Sequence, residues 1–293
     1  LQNRMPNELN REDAANMRAA HELDPSRLIT FISGFWEEPP KEHPVKLHFL
    51  PNDFAERHAG WYDMHLFSPS QGYQDRFYNS PRSFERYAEN KDEIIFWGED
   101  GAINNPPMLG SIHDFHERNR VRSGWLAGHL ENWYRAYDCF LDRSGFREWF
   151  PDVDSLTRSI GNVSLEYHGR ILENIRAGNV SDCYTINGWA ANHLTNFCDI
   201  VDLYRNPIGD ASVFSQYARP LYLAVKLRQK VVPAGSSLKT DIFIVNETGL
   251  NGPHILAVTV ENPGGALLME KTFRVNILGG DEYGQLLAEN IDI

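Results

Sequence analysis

The chain has 293 residues, 42% of them hydrophobic, which is enough for a sizeable core and more than one average domain. Lys and Arg number 28 against 40 Asp and Glu, giving a formal net charge of −12. This negative balance argues against a surface that follows nucleic-acid phosphates or anionic lipid headgroups, so we expect neither nucleic acid nor a membrane as a partner.

Up to about residue 216, predicted strands alternate with predicted helices. The predicted strands are apolar, β-rich runs at 27–33, 45–50, 93–98 and 182–189. The helices predicted from apolar periodicity and capping residues lie at 10–22, after Pro81, after Pro107, at 124–143 and at 155–177. Asp154 is the predicted cap of the last helix, and the aromatic, aperiodic segment 51–79 is predicted as a functional loop. Such alternation is typical of a parallel sheet covered by helices.

The pattern changes after residue 216. Runs such as "LYLAVKL", "DIFIVN" and "HILAVTV" are typical of strands, and "PAGSS", "GLNG" and "PGG" separate them without any helical periodicity. This succession predicts an antiparallel β-sandwich of immunoglobulin type. We therefore predict two domains, an α/β unit at 1–216 and a sandwich at 217–293.

Candidate site residues follow the carboxyl ends of the predicted strands, where parallel α/β folds build their sites. Glu99 and Asp100 come directly after the strand at 93–98, within "EIIFWGEDGA". A carboxylate at such an edge is held rigidly and is partly desolvated. Two carboxylates about 5 Å apart suit retaining glycoside hydrolysis, in which one attacks the anomeric carbon and the other transfers a proton.

Aromatic and amide side chains near the strand ends suit a carbohydrate, because aromatic faces stack on sugar rings and polar groups bind hydroxyls. The predicted substrate-binding residues are Asn7, His48, Asn52, Trp61, Tyr62, Asn187 and Trp189. The structural alternative is core packing for His48 and Trp189, and capping of the following turn for Glu99. For Trp61 and Tyr62 the alternative is a small core inside the long loop.

Five short motifs occur in order along the chain: "LDPSR" at 23–27, "GWY" at 60–62, "WGEDGA" at 97–102, "INGW" at 186–189, and "DLYRNP" followed by "ARPLYLAVK". Together they resemble glycoside hydrolase family 2, which includes β-galactosidases, β-glucuronidases and β-mannosidases. The resemblance implies strands about four to eight of a (β/α)8 TIM barrel followed by an immunoglobulin-like sandwich. It also implies a retaining exo-β-glycosidase with two glutamates, Glu99 being the nucleophile, and neither an organic cofactor nor a metal.

The acid/base residue depends on the register of the N-terminal segment, because the resemblance implies an Asn-Glu pair at the end of strand four. Such a pair is present at Asn7 and Glu8, and we favour Glu8 as the acid/base. Aligning "LQN" with the strand end instead places Arg4 there, and arginine does not shuttle protons at neutral pH. That register favours an alternative function, a non-catalytic carbohydrate-binding or assembly protein derived from a glycosidase that lost its acid/base.

The resemblance further implies that barrel strands one to four are missing from this chain. We therefore expect a fragment, or a protein that associates with further polypeptide or forms a homo-oligomer, because an open half-barrel exposes sheet edges and apolar faces. The expected substrate is a carbohydrate. The expected location is secreted or periplasmic rather than cytoplasmic.

The segment "HDFHE" at 113–117 raises the alternative of a metal site. The zinc-binding helix pattern spaces its histidines by four residues with Glu between them, which His113, His116 and Glu117 do not match, so we predict no metal. The three cysteines lack metal-type spacing and are predicted as free, buried thiols: Cys139, Cys183 and Cys198.

Overall fold

The computed structural model describes residues 11–27, 61–67, 81, 94–101, 105–179, 181–186, 189–190, 200–229 and 231–293, with the backbone alone at 11–14, 61–67, 94–95 and 98–101. These residues form a mixed α/β fold. A parallel sheet and a layer of long helices come first along the chain, and two antiparallel sheets follow. Among the described helices, none has both the length and the apolar character that crossing a membrane requires.

The described helices are α1 (Arg11–Leu23), α2 (Leu109–Arg118), α3 (Trp125–Ser144), α4 (Val153–Ala177) and the short α5 (Ala211–Ser215). The described strands are β1 (Trp61–Phe67), β2 (Ile94–Gly101), β3 (Cys183–Ile186), β4 (Leu221–Leu227), β5 (Lys239–Asn246), β6 (Gly252–Glu261), β7 (Leu267–Ile277) and β8 (Gly284–Asp292). The helices predicted at 10–22, 124–143 and 155–177 are confirmed, because apolar periodicity is a strong signal over segments this long.

The strands β1, β2 and β3 form a parallel sheet in that order. They follow one another across the sheet as they do along the chain, and α2, α3 and α4 lie in sequence between β2 and β3. This arrangement agrees with the predicted parallel sheet covered by helices. The three described strands do not close into a barrel, so the partial (β/α)8 barrel stays a prediction.

The predicted loop at 51–79 is wrong, because that segment contains β1. The strand predicted at 93–98 is confirmed, but β2 continues beyond it to Gly101. Glu99 and Asp100 therefore lie inside the strand, because pairing with β1 extends it through residues that strand propensity disfavours. The strand predicted at 45–50 lies outside the described residues, as does the one at 27–33 apart from Arg27.

Helices α2, α3 and α4 pack around one apolar cluster. Its buried members are Leu109, Ile112, Leu130, Leu141 and Val153. Three further apolar residues of α3 pack against this cluster: Leu126, Trp133 and Tyr137. The apolar residues of α4 are only partly internal, because Val163 is 45% exposed whereas Ile171 and Ile175 are buried.

The cap predicted for α4 is also wrong. The carboxylate of Asp152, not that of Asp154, accepts a hydrogen bond of 2.7 Å from the backbone N–H of Ser155 and caps the helix. Asp154 instead accepts hydrogen bonds from the backbone N–H groups of Gly110 and Ser111, at 2.7 and 2.8 Å. These two N–H groups belong to the first turn of α2, so Asp154 stabilises the start of a neighbouring helix.

Two antiparallel sheets follow residue 220, one of β4, β5 and β8 and one of β6 and β7. One face of the larger sheet packs on α4 through Ala177, Ala224, Phe243 and Val245. Its other face packs on the smaller sheet through Ile242, Leu256 and Ile291. Antiparallel strands are thus confirmed, while the immunoglobulin topology and the domain boundary between residues 216 and 217 stay predictions.

Buried polar groups join α4 to the larger antiparallel sheet. The carboxylate of Glu173 pairs with the ammonium of Lys226 and accepts a hydrogen bond of 2.6 Å from the hydroxyl of Tyr222. Arg176 donates to the backbone oxygens of Tyr217 and Arg219. Glu173, Arg176 and Lys226 are each at most 5% exposed, so these contacts fix how helix and sheet sit together.

The predicted burial of the cysteines is wrong for the two that are described. Cys139 and Cys183 are both exposed. Cys139 follows Asp138 on α3, away from the apolar cluster, and Cys183 is the first residue of β3. Cys198 lies outside the described residues.

Candidate functional site

Glu99 lies in β2, the central strand of the parallel sheet. It is the third residue from the carboxyl end of this strand, whose last residue is Gly101. The neighbouring strands β1 and β3 run in the same direction on either side. Because parallel strands bring their carboxyl ends to one edge, β1, β2 and β3 all end at the edge near which Glu99 lies. Glu99 therefore lies near this edge but inside β2, not after the strand as the sequence predicted, and its catalytic role stays a prediction.

A β-bulge immediately precedes Glu99. Met64 of β1 pairs with Trp97 and the next residue, His65, pairs with Glu99, so Gly98 is an extra residue in β2. The pairing of β2 with β3 is irregular over the same stretch, between Trp97 and Asp100. Bulges bend a strand and redirect the following side chain, and they are frequent beside active sites.

The side chain of Trp97 anchors β2 just before the bulge. It is 1% exposed, and its indole N–H donates a hydrogen bond of 2.7 Å to the hydroxyl of Ser181. The backbone N–H of Ser181 in turn donates to the hydroxyl of Tyr283 at 3.2 Å. Burial raises the pKa of Tyr283 to about 12, so this hydroxyl stays protonated at neutral pH. The strand that carries Glu99 is thus anchored before the bulge by the buried indole of Trp97 and its hydrogen bond to the partly buried Ser181.

Trp189 lies just beyond β3 and is 69% exposed. Its backbone oxygen accepts a hydrogen bond of 3.1 Å from the N–H of Val201, and Ala190 forms a bridge with Val201. The alternative of core packing does not fit a side chain this exposed. An indole face that is open to solvent beside an ordered backbone is available to a ligand, and its binding role stays a prediction.

The register of β1 brings His65, rather than the two predicted aromatic residues, beside Glu99. Trp61 pairs with Ile94, at the opposite end of the strands, and His65 is the residue that pairs with Glu99. Four residues of strand separate Trp61 from His65, which corresponds to about 13 Å. Trp61 and Tyr62 therefore start β1 far from the level of Glu99. The sequence reading missed His65 because it placed this segment in a loop.

The remaining predicted site residues cannot be located relative to Glu99. Asn7, Glu8, His48, Asn52 and Asn187 lie outside the described residues, so their roles stay predictions. Arg4, the residue of the other register, lies outside them as well.

The histidines of "HDFHE" meet a carboxylate from the next helix. The Nδ1 atoms of His113 and His116 each lie 2.8 Å from one oxygen of Glu131, and Nε2 of His116 lies 2.7 Å from the hydroxyl of Tyr204. Glu117 points elsewhere and pairs with Arg122. Among the described residues, no group of three potential ligands is arranged to hold a metal ion.

This carboxylate is held in its ionised form. Burial opposes the ionisation of Glu131, but the hydrogen bonds to His113 and His116 outweigh that effect and lower its pKa below the ordinary value. His116 is fully buried. The cluster therefore ties α2 and α3 to the segment around Tyr204, which lies three residues after Val201, the bridge partner of Ala190.

A second carboxylate organises the same segment. Asp202 is fully buried and accepts hydrogen bonds from the backbone N–H groups of Met108, Tyr204 and Asn206 at 2.8–3.1 Å. Met108 immediately precedes α2. The segment 200–206 is thus tied both to the start of α2 and to the backbone of Trp189.

A cavity of about 620 Å³ lies away from the predicted site. It is lined by the end of α4, the start of β3 and two turns of the antiparallel part, including Arg176, Ser181, Asp182, Glu247 and Tyr283. Cys183 also lines it and begins β3, so the cavity is at the amino end of the parallel strands.

No family model matches this chain, and no curated protein matches its sequence. The resemblance to glycoside hydrolase family 2 therefore depends on the five motifs alone and stays a prediction. The chemical interpretation of the site depends on the placement of Glu99, His65 and Trp189 in the structure and on the predicted partner Glu8.

Proposed function

We propose that this protein is a retaining exo-β-glycosidase of the family 2 type, with Glu99 as nucleophile and Glu8 as acid/base. The observation that carries the proposal is the position of Glu99, directly after a bulge and near the carboxyl end of the central parallel strand. We further propose that this sheet is the last part of a (β/α)8 barrel and that the antiparallel part is an immunoglobulin-like sandwich.

The proposed reaction has two steps. The carboxylate of Glu99 attacks the anomeric carbon while Glu8 donates a proton to the departing oxygen, which forms a glycosyl ester and releases the alcohol. Glu8 then removes a proton from water, and this water hydrolyses the ester with overall retention of configuration. Neither step requires a cofactor.

The surroundings of Glu99 support this assignment. A nucleophile must be held in place, and the buried indole of Trp97 with its hydrogen bond to Ser181 holds the preceding residues of β2. Trp189 presents an exposed aromatic face beyond the adjacent strand, which suits the apolar face of a sugar ring.

The proposal is tested with aryl β-glycosides of several sugars and the variants Glu99→Gln and Asp100→Asn. Loss of a nucleophile removes a whole reaction step, so Glu99→Gln should lower kcat/KM by at least about a thousandfold, whereas Asp100→Asn should retain measurable turnover. Labelling with a 2-deoxy-2-fluoro glycoside, followed by peptide mapping, should place the adduct on Glu99. An adduct on another residue would refute the assignment.

The alternative is a carbohydrate-binding protein without catalysis, which the register that places Arg4 at the acid/base position favours. In that case a saccharide binds with the same affinity to wild type and Glu99→Gln, and no aryl glycoside is turned over. Azide rescue separates the two registers, because a small anion replaces a lost base in the second step. We expect azide to restore turnover to Glu8→Ala.

A further inference from the structure

Strand β4 carries an apolar stripe on one face. The alternate residues Leu221, Leu223, Val225 and Leu227 are 44%, 47%, 54% and 36% exposed, and we call these four residues the β4 stripe. The other face of β4 is covered by α4, through Tyr222, Ala224 and Lys226. The strand thus buries a lysine and exposes four aliphatic side chains, the reverse of what an exposed edge strand normally shows.

The β4 stripe belongs to the interior face of the antiparallel part. Leu223 pairs with Ile244 of β5 and Val225 pairs with Ile242, so these side chains share one face of the sheet. Ile242 and Ile244 are each only 3% exposed. The face that is buried at β5 therefore continues onto β4, where its side chains are between about a third and a half exposed.

The smaller sheet covers the β5 and β8 part of the larger sheet but not β4. The apolar cluster between the two sheets draws on β5, β6, β7 and β8, and no residue of β4 belongs to it. In the larger sheet β5 lies between β4 and β8. In the smaller sheet β7 is the strand that contacts β8. The outer edge of β6 is thus directed towards the side of β4.

That edge of β6 has backbone groups available for pairing. Among the described residues, β6 pairs with β7 and with no other strand. A third strand could therefore join the smaller sheet beside β6, where it would lie over β4. A segment there would satisfy the edge of β6 and cover the β4 stripe at the same time.

The exposed apolar area of the β4 stripe indicates what kind of partner it can bind. Four side chains exposed to this degree present roughly 300 Å² of apolar surface, at the low end for a functional patch. A stable dimer interface buries about 800 Å² per partner, so the stripe alone is too small for a second globular copy. Its spacing of two residues matches the side-chain period of a strand.

We propose that the groove between the β6 edge and the β4 stripe binds an extended polypeptide segment with an apolar side chain at every second position. The segment pairs with β6 through its backbone and packs its apolar side chains on Leu223 and Val225. This inference concerns the antiparallel part and does not depend on the proposed glycosidase activity.

The test uses the full chain and a phage-displayed library of random nonapeptides. Selected peptides should carry apolar residues at alternate positions, and their affinity is measured by fluorescence anisotropy. Leu223→Asp should weaken binding of the best peptide at least about tenfold, because a charge is then buried under it. Val225→Thr keeps the branched shape of the side chain and should weaken binding of the peptide about threefold. This milder variant keeps the test valid if Leu223→Asp fails to fold.

The matched control is Leu268→Asp, which changes an aliphatic residue of β7 that is 66% exposed and lies outside both the apolar cluster and the proposed groove. It should leave binding within twofold of wild type, and hydrogen exchange should show amides of β6 becoming protected by the peptide. Peptides without alternation, equal binding by Leu223→Asp, or no selected binder would overturn the proposal. So would a dimer, seen by light scattering, that Leu223→Asp dissociates, since a second copy then occupies the groove.

Discussion

The carboxylate of Asp154 accepts a hydrogen bond of 2.7 Å from the backbone N–H of Gly110, which lies 44 residues earlier in another helix. The hydroxyl of Ser111 adds a further bond of 2.5 Å to the same carboxylate. A Cβ at residue 110 would lie 2.9 Å from the carboxyl carbon of Asp154, so glycine is what allows this approach. Capping from one helix to the next thus fixes α2 against α4.

We expect Asp154→Ala to lower the free energy of unfolding by about 2 kcal/mol, because several partly buried donors of α2 lose their acceptor. Asp152→Ala, at the exposed cap of α4 itself, is the control and should cost about 1 kcal/mol. Urea unfolding followed by circular dichroism measures both. Equal costs for the two variants would contradict the role given to Asp154.

The buried ion pair of Glu173 and Lys226 predicts that the stability effects of substituting its two members do not add. Lys226→Met leaves a buried carboxylate without its cation and should cost about 3–5 kcal/mol. The double variant Lys226→Met, Glu173→Gln should cost clearly less than Lys226→Met alone, because no buried charge remains. A double-mutant cycle in urea measures the coupling, and simple additivity would show that the pair is not coupled.

The close contact between Gly169 of α4 and Tyr217 predicts a destabilising alanine. A Cβ at residue 169 would lie 1.9 Å from the ring of Tyr217. Gly169→Ala should therefore cost about 1–3 kcal/mol through overpacking.

Gly128 of α3 provides the matched control, since a Cβ there meets nothing within 4 Å. Gly128→Ala should raise stability by up to about 1 kcal/mol, because alanine favours the helix over glycine. Thermal unfolding compares the two variants directly. The same sign of effect for both would refute the packing argument.

The lowered pKa of Glu131 predicts a pH-dependent contribution to stability. Its carboxylate is favoured in the folded state, so this contribution is fully present above the ordinary carboxyl pKa and is lost as pH falls through the lowered folded value. The difference in free energy of unfolding between wild type and Glu131→Gln should be largest near pH 7 and shrink below about pH 4. Urea titrations across this range measure it, and a difference that grows with acid would contradict the assignment.

Local patterns predicted the long helices and the antiparallel strands well, because both depend on residues close in sequence. The periodic apolar positions of α3 were enough to place it between Trp125 and Ser144. The strand at β1 was missed, because "WYDMHLF" lacks clear alternation and becomes a strand by pairing with β2. The cap of α2 was missed for a similar reason, since Asp154 is distant in sequence.

The sequence by itself predicted the long helices, the change to antiparallel strands after residue 216, and the candidate acid at position 99. Only the tertiary structure decided that Glu99 follows a bulge at Gly98, that His65 lies beside it, and that the β4 stripe is left partly exposed. The physical reason is that register and burial depend on partners far along the chain, whereas propensity and periodicity depend on neighbours.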